Sequence, residues 1–332
     1  MKKLKVFAFG TFILLSTNVF GQDPSVLEMK STASKNIQTI TDTAFTKGWR
    51  KGGLVNISLT QIGNSNWVAA GGDKFSLSFS GTLNAFATKK WDKATWDNVL
   101  DINYGLVNTT TLGVRKVNDL LSFLSKLGYA PDHWKNTNVS LVGQFRSQLT
   151  DGFDYNYFGT GQKRRNSGFF APAYITIAPG IDWHPKPWLS IFGSPVSLRW
   201  TIVSNGPYSY AGQGGIFQGH QETALATLYG VDPAKENRAE VGAFVTVTAK
   251  KDVTKDISYA GKLDLYSNYL KNPQNVDVFW TNLFLLKVNK WLSVTYEIDL
   301  LYDDDIKQSA NPTRSVGLQV LSTFGIGVSA KF

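Results

Sequence analysis

From roughly residue 53 to its end this chain repeats with a period of two, and after the first twenty residues no window is apolar enough for a membrane helix. The last stretch shows it best. Val316, Leu318, Val320, Ser322, Phe324, Ile326, Val328, Ala330 and Phe332 alternate with Gly317, Gln319, Leu321, Thr323, Gly325, Gly327, Ser329 and Lys331. Successive side chains of a strand point to opposite faces, so this segment has one apolar face and one small or polar face. The same pattern recurs over 75–85, 96–106, 139–149, 241–249, 257–269 and 292–302. Less regular strands are expected to start near Leu54, Arg115, Phe169, Trp188 and Val276, for about twelve in all.

Charge decides which face meets which medium. Asp97, Asp101, Arg146, Arg199, Lys262, Asp264, Glu297 and Asp299 all fall on the polar parity. In a soluble sandwich the apolar face would be the core and the charged face would meet solvent. Several runs here reach roughly 14–18 residues, against about 5–6 for an ordinary strand, and a tilted membrane strand needs about 9–11. The expected fold is therefore all-β: a single antiparallel transmembrane β-barrel with the apolar parity on lipid and those eight charged residues facing the lumen. A barrel is the one alternative to helices that pairs every backbone group in lipid. Its last strand ends on an aromatic residue. Phe324, Ile326, Val328 and Phe332 resemble the C-terminal recognition strand of bacterial outer-membrane barrels.

Connection lengths agree with this reading. Short turns are expected near residues 89–95, 128–133, 185–187, 251–255 and 288–291, and longer loops at 63–72, 150–168, 204–238 and 303–313. Short periplasmic turns and long extracellular loops are the outer-membrane pattern. Trp91, Trp96, Trp134, Trp183, Trp188 and Trp291 cluster beside the short turns, where an aromatic girdle belongs.

The N-terminus reads as an export signal. Met1 to Lys5 is basic, Val6 to Phe20 is apolar and too short to span, and Gly21 precedes the expected cleavage point. The expected organisation is a signal peptide at 1–21, a periplasmic segment at 22–48 that is either a lead-in or a plug, and the barrel at 49–332. Lys and Arg exceed Asp and Glu by 9. The excess falls by 3 to +6 without Lys2, Lys3 and Lys5, with no basic run long enough for a nucleic-acid groove. No cysteine is present, which excludes disulfides, thiolate metal sites and a lipidated cysteine.

Chemistry-bearing motifs are sparse. His133, His184 and His220 are far apart and none sits in H-x-x-x-H spacing; G-x-S-x-G and G-x-x-x-x-G-K are missing. Asp303, Asp304 and Asp305 form a carboxylate run that suits Ca²⁺ in charge but lacks the alternate spacing of a loop-type calcium site. Lys163-Arg164-Arg165, in an expected outer loop, suits lipopolysaccharide phosphates or is a solvated loop tip. Mixed inward charges in a barrel cross-brace the wall or line a wet lumen more readily than they catalyse, so no enzyme activity and no cofactor is expected beyond that Ca²⁺ candidate.

Trp49-Arg-Lys-Gly-Gly53, Ser58-Leu-Thr-Gln61, Asn64-Ser-Asn-Trp67, Ala70-Gly-Gly72, Trp96-Asp-Asn98, Tyr104-Gly105, Arg115-Lys-Val-Asn-Asp119, Phe169-Phe-Ala-Pro-Ala-Tyr174 and Tyr302-Asp-Asp-Asp305 stand along most of the mature chain. As a set they resemble the Bacteroidota outer-membrane β-barrel family grouped as a domain of unknown function. That resemblance implies a fold and a location, and supplies no reaction, substrate or catalytic residue. Two functions are expected to compete. One is a passive small-solute channel or structural barrel, with outer-membrane lipid and lipopolysaccharide as its surroundings. The other is an accessory subunit of an outer-membrane machine for barrel assembly, secretion or nutrient import, acting through other outer-membrane or periplasmic proteins.

Overall fold

The computed structural model describes residues 47–63, 75–155, 157, 159, 161–211, 214–289, 292–302, 307–308, 311–315 and 317–331. The wall begins with β1 (Gly48–Gly63), β2 (Phe75–Lys90), β3 (Ala94–Thr109), β4 (Gly113–Tyr129) and β5 (Thr137–Ser147). The chain leaves it for a hairpin of β6 (Gly152–Tyr155) and β7 (Lys163–Ser167), then returns through β8 (Ala173–Lys186) and β9 (Leu189–Ile202). A second excursion holds β10 (Ile216–Phe217), β11 (His220–Gln221) and a 3₁₀ turn at Leu225–Tyr229. The wall continues with β12 (Asn237–Asp252), β13 (Ile257–Asn268), β14 (Val276–Lys287) and β15 (Leu292–Tyr302). A third hairpin, β16 (Lys307–Gln308) and β17 (Asn311–Ser315), precedes β18 (Gln319–Lys331).

Neighbouring wall strands are antiparallel, and β18 returns to β1 with Leu54 opposite Lys331 and Ile57 opposite Val328, which closes the barrel. The wall has the expected twelve strands, and further strands lie outside it. Eighteen strands lie among the described residues; twelve make the wall and six pair off in three two-stranded sheets. The extra six span two to five residues each, too short to leave a periodic trace in the sequence. The signal segment 1–21 and most of 22–48 lie outside the described residues.

Burial alternates along the wall with the sense inverted from a water-soluble protein. In β3, Asp97, Val99, Asp101, Asn103, Gly105, Val107 and Thr109 are buried, and Asp101 is 3% exposed. Phe123 and Trp280 on the opposite parity of β4 and β14 are 42% and 43% exposed. The outer wall carries Phe79, Leu127, Leu141, Ile177, Leu198 and Phe284 around the barrel, while serines at 122, 140, 190, 194 and 197 face in.

The alternation changes phase once in β9. Ser194 lies opposite Phe244, but Ser197 lies opposite Gly242, so Pro195 and Val196 form a bulge. Ser190, Phe192 and Ser194 are buried before it, Ser197 and Thr201 after it. The bulge is what turns Arg199 inward. Proline suits the place because it has no N–H to leave unpaired, and the Pro195 carbonyl accepts a hydrogen bond of 2.8 Å from the Tyr269 hydroxyl two strands away. Close by, a Cβ on Gly180 would stand 2.3 Å from the Gly193 carbonyl oxygen and 2.8 Å from the Phe192 ring. Only glycine lets the ring lie there.

The two barrel ends are unlike. At one, where β1 starts and β18 finishes, β2–β3, β8–β9, β12–β13 and β14–β15 are joined by two to four residues. At the other, residues 148–172 and 203–236 form long excursions, although β3–β4 is joined there by only Thr110-Thr111-Leu112. The two excursions pack together into a cap. Ala171, Val203, Leu225, Ala226, Tyr229 and Val231 form its apolar centre, and the Tyr229 hydroxyl donates to the Asn166 carbonyl at 2.7 Å. Gly230 ends the 3₁₀ turn in the left-handed region at φ 65°, where its N–H reaches the Ala226 and Thr227 carbonyls.

Candidate functional site

The barrel interior holds two charged layers. The lower one lies near the short turns. Thr88 donates to Asp97 at 2.8 Å, and Lys126 sits opposite Asp97 in the β3–β4 register. Lys126 Nζ reaches Asp182 at 2.8 Å across β5; Ser190 donates to the other oxygen of Asp182 at 2.7 Å, and His184 Nε2 lies 3.3 Å away. Asp182 is 1% exposed and collects partners from three strands. A carboxylate so buried is tolerable only because each oxygen has a donor.

The upper layer lies towards the long loops. Arg199 is 3.5 Å from Asp277 and 3.8 Å from Glu240, and its guanidinium stands 4.3 Å from the Tyr266 ring centroid. Glu240 also takes Arg238 at 3.2 Å and the Asn268 amide at 2.7 Å. Lys262 pairs with Asp264 at 2.9 Å, and Arg146 stands 5.6 Å over the Tyr174 ring. Between these groups is a cavity of about 60 Å³ bordered by Gln144, Arg146, Thr176, Arg199, Asp264, Tyr266 and Asp277. Among the described residues, Gln144 Nε2, Asp264 Oδ1 and the Tyr266 hydroxyl are buried at it without a hydrogen-bond partner. Such atoms are costly when dry and are satisfied by water, and the volume has room for about four molecules.

Of the residues singled out in the sequence, Arg146, Arg199 and Asp264 meet at this one cavity, with Lys262 paired to Asp264. Asp97 and Asp101 belong to β3; Asp97 is in the lower layer. Glu297 and Asp299 occupy positions opposite Leu283 and Thr281 in the β14–β15 register. Phe324, Ile326 and Val328 lie in β18, opposite Tyr296, Val294 and Leu292. Phe332, Trp291 and the Asp303, Asp304 and Asp305 candidate lie outside the described residues. No cluster of three metal-ligating side chains occurs among the described ones.

The basic triplet is corrected. Arg164 is buried and donates to the Tyr157 hydroxyl at 2.9 Å and the Thr223 carbonyl at 3.3 Å; Arg165 donates to the Asn205 and Gly206 carbonyls at 2.6 and 2.8 Å. These guanidiniums hold the cap together. Only Lys163 is exposed, over the Phe153 ring at 4.0 Å. In the same cap, Glu222 accepts from the backbone N–H groups of Ser209, Tyr210 and Ala211, a concave nest of amides closed around one carboxylate. Burial holds the Asp154 carboxyl above its ordinary range, against a hydrogen bond from Asn166 and the charge of Arg164.

Lys126, Asp182, Arg238, Glu240, Tyr266 and Asp277 complete the networks and were not singled out. Parity could have placed them on the inner face, as Tyr266 shares it with Lys262 and Asp264. Which of them touch is set by the stagger of strands around the barrel, and periodicity does not encode that.

Residues 59–153, from the middle of β1 to the hairpin after β5, match the family described as protein of unknown function (DUF3078). No curated protein matches the sequence. Among solved structures the chain is similar to the translocator domain of the autotransporter NalP from Neisseria meningitidis, at 8% identity and a TM-score of 0.42, over 87% of this chain and 90% of that one. It is also similar to an outer-membrane channel from Pseudomonas putida F1, at 11% identity and a TM-score of 0.41, over 89% and 98%. The toluene transporter TbuX of Ralstonia pickettii gives 10% identity and a TM-score of 0.34 over 95% and 98%. Likeness at this level carries no functional inference.

Proposed function

We propose that the chain is a non-enzymatic β-barrel of the outer membrane with a narrow polar interior that passes water and small ions. The observation behind this is the inverted burial of a closed barrel: Asp101 and Asp182 inside, Phe123 and Trp280 outside. Such a surface is unstable in water and matched to lipid, where a closed sheet leaves no unpaired edge. Strands of 11 to 17 residues rise about 3.3 Å per residue; tilted about 40°, even the shorter ones cross an apolar band of about 25 Å.

The interior supports passage of small species over general diffusion. Glu240, Asp277 and Asp264 are each in an ion pair, while the cavity between Arg199, Asp264 and Asp277 offers both signs of charge and donors and acceptors without a partner among the described residues. The exterior would be solvated by outer-membrane lipid. A second reading, an accessory subunit of an outer-membrane machine, draws support from the cap, where Tyr210 stacks on Phe217 at 4.3 Å beside Ile216, which is 72% exposed.

Planar-bilayer recording of the purified full chain separates these. Small steps for alkali ions, with neutral sugars excluded and cation-to-anion selectivity shifted by Asp277→Asn, are the expected result. A wide ohmic pore overturns the narrow interior. Current no greater than leak overturns the channel and leaves the accessory reading.

A further inference from the structure

The short-turn rim carries lysines on its outer face that no described residue neutralises. Trp49, Lys51 and Lys89 share the lipid-side parity of β1 and β2, with Lys89 opposite Trp49 in the register. Lys51 Nζ stands 5.4 Å from the Trp49 ring centroid; Lys89 Nζ is 5.3 Å from that centroid and 5.3 Å from the Trp91 centroid. Trp49 in turn leans on Trp96 at 6.0 Å. The motif recurs on β12, where Lys251 stands 5.6 Å over the Trp188 ring. Lys47 and Lys93 at the same rim pair with Asp92 and Asp132, but among the described residues Lys51, Lys89 and Lys251 form no ion pair.

On the reading that this barrel spans a membrane, these ammonium groups have a defined depth. A lysine facing hydrocarbon at mid-membrane costs about 2–4 kcal/mol, falling to about 0–1 at the interface. The Trp rings beside them belong at the level of the headgroups. A cation held there against an aromatic face, without a carboxylate from the described residues, faces the phosphate layer of the lipid. We infer that Lys51 and Lys89, over Trp49 and Trp91, bind the phosphate of an anionic phospholipid headgroup in the leaflet at the short-turn end, with Lys251 and Trp188 forming a second such site.

The test uses the full chain in nanodiscs of mixed phosphatidylglycerol and phosphatidylcholine, with retained lipid counted by native mass spectrometry after detergent release. The wild type should retain phosphatidylglycerol selectively. Lys51→Gln with Lys89→Gln should lower that preference about fivefold per lysine, and Lys163→Gln at the opposite end should leave it unchanged. Folding of each variant is checked by the compact, heat-modifiable gel band. An inserted, folded double variant with full preference overturns the lipid site while the membrane reading stands. Loss of the preference in inorganic phosphate, but not in chloride of the same ionic strength, assigns the lysines to free anions and also overturns it. Failure of the wild type to enter lipid overturns the membrane reading itself.

Discussion

Arg164, Arg165 and Lys116 at the long-loop end are held by the chain's own oxygens, whereas Lys51, Lys89 and Lys251 at the short-turn end stand on the outer wall against tryptophan. Arg164 and Arg165 donate to carbonyls and to a tyrosine hydroxyl, and Lys116 reaches Asp119, Gln148 and the Thr150 carbonyl. Lys51, Lys89 and Lys251 have rings for neighbours. One arrangement folds loops that would otherwise be mobile in water; the other leaves charge for a phase beyond the protein. The same residue types therefore do opposite work at the two ends, and sequence composition alone does not tell them apart.

The contrast is broken most severely from inside the short-turn end. Asp182→Ala removes the acceptor shared by Lys126, Ser190 and His184 and leaves Lys126 with Asp97. Orphaning a buried charge costs about 3–5 kcal/mol, and the lower half of that range is expected because Asp97 remains. Urea unfolding of the lipid-inserted barrel followed by tryptophan emission measures it; a loss under 1 kcal/mol would show that the lower layer is not structural.

A smaller and more local effect is expected at the other end. Glu222→Ala strands three backbone N–H groups, at about 1–3 kcal/mol for such a loss. Cleavage of the 203–236 loop by protease should accelerate while the heat-modifiable band of the barrel is unchanged. If barrel and cap fail together, the cap is not a separable unit.

The smallest effect is a pH dependence. The Asp154 carboxyl is held above its ordinary range by burial, so its proton is bound more tightly in the folded cap than in the open one. The stabilisation is full below the ordinary carboxylate range and is lost as pH rises through the folded value. Asp154→Asn keeps an acceptor for Asn166 and removes the titration. Protease resistance of the cap should then be flat with pH, and at neutral pH higher than that of the wild type. Unchanged pH dependence in the variant would place the titrating group elsewhere.

The wall was legible because period two survives wherever one face meets a single medium: β3 alternates without a break from Asp97 onward, and its charged parity is the buried one. β9 was harder to read, since the extra residue at Pro195–Val196 interrupts the phase. The cap was not legible. Its strands of two to five residues are held by side-chain-to-backbone bonds such as Glu222 to Ser209 and Arg165 to Asn205, which have no period. Pairing inside the barrel was hidden for another reason: Lys126 and Asp182 are 56 residues apart and meet only once the strand stagger is set.

The shared apolar centre of the two excursions also bears on where foreign sequence can be grafted. Ala171 from one loop and Leu225 from the other are both fully buried in it, so an epitope inserted into either would disorder its neighbour. The three-residue link Thr110-Thr111-Leu112 stands at the same end with Thr110 and Thr111 exposed and no part in that cluster. It is the better point from which to display a tag at that end of the barrel.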